Sequence, residues 1–318
     1  LSWDFSVDDN DFIFGYGWSH AYSLRIKEYP NHVTLFRENN HKETYVPKGD
    51  GTYTSYPVNY YTTLKKDSSG FSLKNKSGVH YRFNTAGRLL YIEDRNANRT
   101  VFTYTTINAK IFLTKITEPS GRSVVLTIGS HKMVASAADP QGNIIRYYYD
   151  SGGRLIKVID RNGNVTQYGY DPTTHNLIQL IDPEGNTYQY AYSYNDRVVT
   201  QQDPLGNITT FDYLWDTVHV INSRGEVTKY NFDRSLFLKS ITDPLHHMER
   251  WTLDVDGNPV VQYDKKNNKR YVVYDTYGNP VRVTNALNLV ARAAFEPVYN
   301  MPTTIIDEKG RVRSYSYD

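Results

Sequence analysis

One register constrains this chain more than any other feature of it. Counting from Asp160, a glycine follows three residues on (Gly163) and tyrosines follow eight and ten residues on (Tyr168, Tyr170). The same spacing recurs from Asp139 (Gly142, Tyr147, Tyr149), from Asp182 (Gly185, Tyr190, Tyr192) and from Asp203 (Gly206, Phe211, Tyr213). Asn222 leads to Gly225, Tyr230 and Phe232, and Asp307 to Gly310, Tyr315 and Tyr317. Weaker copies begin at Asp94, Glu118, Asp243, Asp264 and Asn285. The eleven anchors stand 19 to 24 residues apart, most often 21. Self-similarity at a fixed period of this length is the mark of one supersecondary unit repeated in tandem.

Each unit reads as a β-hairpin. The stretch from Arg154 to Asp160 is rich in β-branched residues, which suits a strand. Arg161, Asn162, Gly163 and Asn164 supply turn chemistry, because Asn and Gly tolerate a positive φ at little steric cost. Elsewhere a proline follows the anchor (Pro119, Pro140, Pro183, Pro204, Pro244) and presets φ at the second position of a turn. The return stretch from Val165 to Asp171 alternates with period two, so Thr166, Tyr168 and Tyr170 share one face.

Eleven hairpins make roughly 22 strands, a ribbon on the order of 100 Å wide. An open twisted sheet rarely exceeds about ten strands without curling or splitting, so the array is expected to coil, fold over or close. Rows of tyrosine would hold it through cross-strand ring contacts of about 0.2–1 kcal/mol each. No thick core is needed, and stability is expected to spread nearly evenly over neighbouring repeats. The expected fold is all-β: an antiparallel meander of hairpins over residues 86–318, behind a β-rich module over residues 1–85 that lacks the register.

Composition narrows the function. Hydrophobic residues make up 39% of the chain and mean hydropathy is −0.61, yet there are 29 Tyr, 12 Phe and 4 Trp. Much of the apolar surface is therefore carried by rings with a polar tip, which pack side by side on wide sheets and still reach water. The 36 basic and 34 acidic residues are interspersed, without the basic stripe that nucleic-acid binding leaves. With no cysteine, a disulfide scaffold and a thiolate metal site are excluded. No apolar run approaches the roughly 20 residues of a spanning helix. The opening stretch carries Asp4, Asp8, Asp9 and Asp11 and does not begin with Met, so the chain reads as a piece of something longer.

These residues resemble a known family. Gly87, Arg88 and Leu89 followed by Asp94, and Gly153, Arg154 and Leu155 with Asp160, Gly163, Asn164, Tyr168, Tyr170 and Asp171, look like Rhs/YD repeats. The run from Gly15 to His20 resembles the motif that opens the core of bacterial Rhs and wall-associated proteins. The runs Asp50–Tyr53 and Gly78–Phe83 are similar to that core as well. The resemblance implies a bacterial protein, secreted or at the cell surface, whose repeat sheet forms part of a shell around a C-terminal toxin domain. Related toxin-complex C subunits enclose cargo in this way, and teneurins use a related shell in adhesion. Its partners would be the remainder of the shell and the toxin, and it would contain neither the toxin nor a self-cleavage segment.

The stretches Asp160–Asn164 and Asp254–Asn258 could pass for calcium loops, but an EF-hand needs a bidentate Glu at its twelfth position and flanking helices. His246, His247 and Glu249 form the one metal-like trio, and His246 falls on the register's turn position. Ser19 beside His20 lacks a nucleophile elbow, and neighbours on a strand point to opposite faces. No enzyme, metal site or cofactor is expected. The rival function is cell-wall polysaccharide binding, for which Trp3, Trp18, Tyr60 and Tyr61, lying outside the register, are the candidate contacts.

Overall fold

The computed structural model describes residues 13–38, 41–56, 61–298 and 300–317. Among them the chain forms 29 β-strands and no helix. Within the repeats, successive strands pair antiparallel, as in Leu155–Ile159 with Val165–Tyr170 and Val165–Tyr170 with Leu177–Ile181. The fold is the all-β hairpin meander that the register implies.

The local cause lies in the turn. Asp160 N donates to Asn164 O at 3.0 Å and Gly163 N to Asp160 O at 3.1 Å, closing a tight loop. The Asp160 carboxylate then fills the inside of it. Its Oδ1 accepts the backbone N–H groups of Asn162 and Asn164 at 2.8 and 2.9 Å, and its Oδ2 accepts Asn164 Nδ2 at 2.8 Å. The third residue after the anchor takes a positive φ at all eleven turns, including the non-glycines Ala97, His246, Asn267 and Asn288. This is the three-residue hairpin loop that ends in a left-handed residue.

The opposite ends of the hairpins are built differently. There the register slips by one residue: Tyr148 faces Lys157 but Tyr149 faces Leu155, so Ile156 is left over as a bulge. The same slip recurs after Gly169, Ala191, Asn231, Thr252, Val273 and Ala294. A bulge raises the local twist of its strand, so these repeats carry a twisting device at a fixed place, whereas Ile208–Tyr213 pairs with Thr217–Ile221 without a slip.

The two ends also differ in crowding. At the anchor turns a Cβ added to Gly121, Gly142, Gly163, Gly185, Gly225 or Gly310 would meet nothing within 4 Å. At the other end it would lie 1.8 Å from Ile26 O at Gly87, 2.6 Å from Met133 at Gly153 and 2.8 Å from the Phe237 ring at Gly257. Glycine at the anchor end answers only to φ, whereas glycine at the far end also makes room for a neighbour.

The contacts divide the chain into two compact units, one of residues 1–54, 63–74 and 79–206, the other of 55–62, 75–78 and 207–318. The first holds a dense core. Val33–Phe36 is buried at every position, and Leu35, Tyr45, Leu64, Leu73, Phe83, Leu89 and Val134 are sealed from solvent. The cluster they belong to runs from Ile13 to Val134. Beyond it the apolar residues that remain buried are Leu155 and Leu177 in the first unit and Val272 in the second. Stability is therefore not spread evenly along the chain as the repeat alone suggests. The stretch before Val134 seals at least one face of most of its strands and both faces of Val33–Phe36, and the later repeats bury theirs by half.

Candidate functional site

Within the first unit the register residues share one face. Tyr147, Tyr149, Tyr168, Tyr170, Tyr190 and Tyr192 are half-buried, while their sequence neighbours Tyr148, Gln167, Gln189 and Ala191 are exposed; in the second unit Phe211 is half-buried as well. Tyr213 belongs to the row but is exposed. Where the tenth residue is Tyr149, Tyr170 or Tyr192, it has a second task. The hydroxyl of Tyr149 donates to Val134 O at 2.8 Å, that of Tyr170 to Leu155 O at 2.7 Å and that of Tyr192 to Leu177 O at 2.7 Å. Each acceptor lies 15 residues back, and Leu155 and Leu177 border a bulge. The bulge interrupts the ladder and the tyrosine caps the carbonyl beside it, which explains a hydroxyl-bearing ring at this position. Burial raises the Tyr170 and Tyr192 hydroxyls to about 12, so they remain donors.

A strap crosses this face in the first unit. Ile13 O accepts Val134 N at 2.7 Å and Tyr16 N donates to Gly153 O at 3.4 Å. Phe14 sets its edge on Tyr147 at 4.9 Å, and Trp18 sets its edge on Tyr168 at 4.7 Å. The Trp18 indole N–H donates to the Tyr170 hydroxyl at 2.8 Å. One hydroxyl thus accepts from the strap and donates to the sheet. Gly15, at φ +96°, sits so low that a Cβ would come 3.0 Å from Gly153 O and 3.1 Å from Leu155 N. His20 closes the strap. It packs edge-on to Phe14 at 5.4 Å, its ring Nδ1 accepts Tyr22 N–H at 3.3 Å, and burial lowers its pKa to about 4. The ring contacts of Tyr147 and Tyr168 run to this strap.

Of the four aromatics considered as ligand contacts, Trp3 and Tyr60 lie outside the described residues. Trp18 packs into the repeat face. Tyr61 is engaged within the second unit: its hydroxyl accepts Asn258 Nδ2 at 2.6 Å, and its ring lies where a Cβ on Gly278 would come within 2.3 Å. Lys76 completes that contact, donating to Gly278 O at 2.9 Å and standing over the Tyr61 ring. The turns of this end are also tied to one another, by Arg154 to His175, Asn176 to Asp196, and Asn279 to Asn300. Sequence reading missed these links, although the polar residue following each left-handed position was visible.

The metal-like trio is not assembled. His246 takes the left-handed turn position with φ +65°, and His247 faces Asp243 at 3.4 Å. Among the described residues no group of three or more His, Cys, Asp or Glu is placed to hold a metal. His20 donates its backbone N–H to Ser23 Oγ at 2.8 Å.

The RHS Repeat family matches residues 131–165, 149–187 and 173–208. No curated protein matches the chain. Among solved structures, the crystal structure of TcdB2-TccC3-Cdc42 aligns over 86% of this chain and 20% of that one, with 12% identity and a TM-score of 0.51. The crystal structure of TcdB2-TccC3-TEV aligns over 93% and 22%, with 10% identity and a TM-score of 0.47. The Photorhabdus luminescens Tc holotoxin pore aligns over 85% and 20%, with 11% identity and a TM-score of 0.48. The chain thus spans about a fifth of the solved chains it resembles. The fold is shared with the first of them, and the same turn geometry continues from Asp94 to Asp307; residues 131–208 of the chain are RHS repeats.

Proposed function

We propose that this chain is a non-catalytic wall segment of a larger secreted Rhs-type shell, whose work is to enclose a toxic domain carried C-terminal to the repeats. The observation that supports it best is the recurrence of the same hairpin within each of the two units, in a fold shared with TcdB2-TccC3-Cdc42. The role is steric. A hydrogen-bonded sheet excludes protease and solvent wherever its strands run side by side, and most anchor turns are closed by their own Asp carboxylate, those at Asn222 and Asn285 by an amide oxygen. The strap over Tyr147 and Tyr168 fastens the entry segment to the first repeats, so the wall would begin from a fixed edge. The partners on this reading are the rest of the shell and its cargo.

The test is limited proteolysis of the full-length gene product. With native repeats, the segment after the array should survive protease that digests it when expressed alone. Insertion of a flexible linker within the strand Val165–Tyr170 should abolish that protection. Equal digestion in both proteins would refute the shell role, as would the lack of any domain after the repeats. The adhesion alternative is weakened at Trp18 and Tyr61, since both rings are occupied by protein contacts.

A further inference from the structure

From 207 to 318 the chain carries as many basic residues as acidic ones, and strand pairing sorts them in space. Lys229 faces Thr242, which faces Met248. Arg250 stands between Ser240 and Tyr263, and Tyr263 faces Lys269. Tyr271 stands between Val261 and Thr284. Val273 faces Arg282, which faces Arg292, which faces Ile306. Alternate residues of a strand share a face, so these rows lie side by side, on the surface turned away from Trp251 and Val272. Five cations meet there. Between the strands Val227–Phe232 and Val312–Ser314 no carboxylate joins them.

The acids of this unit sit elsewhere. Asp243, Asp264 and Asp307 accept backbone N–H groups inside the anchor turns, and Asp233, Asp254 and Asp275 do the same at the opposite hairpin ends. Glu249 faces Ile241 on the other surface. The first acid on the cationic face is Asp212, beyond Lys229, and it faces His219 at 3.6 Å. None of the five cations makes an ion pair with a described residue. Lys229, Arg250, Arg282 and Arg292 are exposed, as are the apolar Met248, Tyr271, Val273 and Val312 interleaved with them. Like charges directly opposite each other, as Arg282 and Arg292 are, destabilise a sheet. A local conflict of this kind marks function.

We propose that this face docks on an anionic lipid surface. The strands of Lys229 and Arg292 are six spacings apart, roughly 29 Å, and the cations are spread over that width instead of along one line. A nucleic acid would need a stripe of charge and free rings on which to stack its bases. Here Arg250 covers the Tyr263 ring at 4.1 Å and Lys269 the Tyr271 ring at 4.4 Å. A bilayer instead brings mobile headgroups that gather beneath fixed cations. Each Lys or Arg held at its surface strengthens binding roughly fivefold. Tyrosine among the cations suits the headgroup level, where an amphipathic ring meets both water and hydrocarbon. The inference is independent of the shell role.

Sedimentation of the full chain with vesicles tests it, using phosphatidylcholine alone and phosphatidylcholine mixed with phosphatidylglycerol. The chain should sediment with the mixed vesicles and not with phosphatidylcholine alone. Added salt should release it, because exposed charges are screened. Arg282→Gln combined with Arg292→Gln should weaken binding roughly 25-fold, a factor of about five for each charge. Both side chains are exposed, so the melting temperature should not fall, which separates lost binding from lost folding. Arg270→Gln combined with Arg313→Gln removes the same charge from the other face and should bind as the native chain does. The proposal is overturned if the mixed vesicles are not bound, or if the Arg282 and Arg292 variant binds them as well as the native chain. It is overturned equally if the control pair weakens binding as much, or if a single-stranded oligonucleotide displaces the vesicles, which would assign the face to nucleic acid.

Discussion

Gly87→Ala and Gly163→Ala make the same chemical change at the same backbone conformation, and the structure predicts very different outcomes. Gly87 has φ +77° and Gly163 φ +86°. Holding alanine in that left-handed region costs about 1–2 kcal/mol, partly offset by about 0.4–1 kcal/mol from the stiffer unfolded chain. At Gly163 nothing else changes, because the new methyl meets no atom within 4 Å. At Gly87 the methyl would lie 1.8 Å from Ile26 O. The strand Arg25–Glu28 must then move away from the turn, which breaks the 2.9 Å bond from Ile26 N to Gly87 O and pulls the buried Ile26 from the core. Overpacking contributes about 1–3 kcal/mol and the lost hydrogen bond about 1 kcal/mol. Gly163→Ala should therefore cost about 1 kcal/mol and Gly87→Ala about 3–5 kcal/mol. Urea unfolding of the full chain followed by circular dichroism measures both, with equal slopes required before midpoints are compared. If the two variants unfold at the same urea concentration, the crowded and open ends of the hairpins are not physically distinct and the reasoning fails.

Further outcomes follow from the strap and the turns. A double-mutant cycle of Trp18→Phe and Tyr170→Phe should show coupling of about 1 kcal/mol, since each change removes the same indole-to-hydroxyl bond; a coupling near zero would mean the strap does not depend on it. His20 has a folded pKa of about 4 against 6.5 unfolded, so its contribution is full above 6.5 and fades as pH falls towards 4. That is worth about 3 kcal/mol, and His20→Phe should flatten the pH dependence of stability across that window. The anchor carboxylates Asp94, Asp139, Asp160, Asp182 and Asp264 are held below their usual 3.8, chiefly by an Asn side chain four residues on. Their contribution is present above that value and is lost as pH falls through the folded pKa, so Asp160→Ala should make the chain less stable at neutral pH and less acid-sensitive. Tyr61→Phe should loosen the turns at Asn258 and Gly278, seen as faster amide hydrogen exchange there with the rate at Gly163 unchanged.

What the sequence determined by itself is what short stretches of backbone can enforce alone. The anchor carboxylate, the left-handed residue three places on and the alternating return strand act within a dozen residues, so the period and the all-β hairpin chain were legible from Asp94 to Asp307. Even the non-glycines Ala97 and His246 obey the turn geometry, because the surrounding hydrogen bonds leave no other conformation for that position. The tyrosines were legible as a face, though not as caps for carbonyls beside a bulge, since a one-residue slip leaves no trace in a period-two pattern. Only the tertiary structure decided where Trp18 and Tyr61 spend their rings. Their partners Tyr170 and Asn258 lie 152 and 197 residues away, and contacts that distant add nothing to a repeat of about 21 residues. The concentration of the core before Val134 was hidden for the same reason, as burial on both faces of a strand depends on which other segment lies over it. Lys229, Arg250, Lys269, Arg282 and Arg292 also read as charges scattered among acids, since the sequence intersperses the two signs and only the pairing of strands sorts them by face.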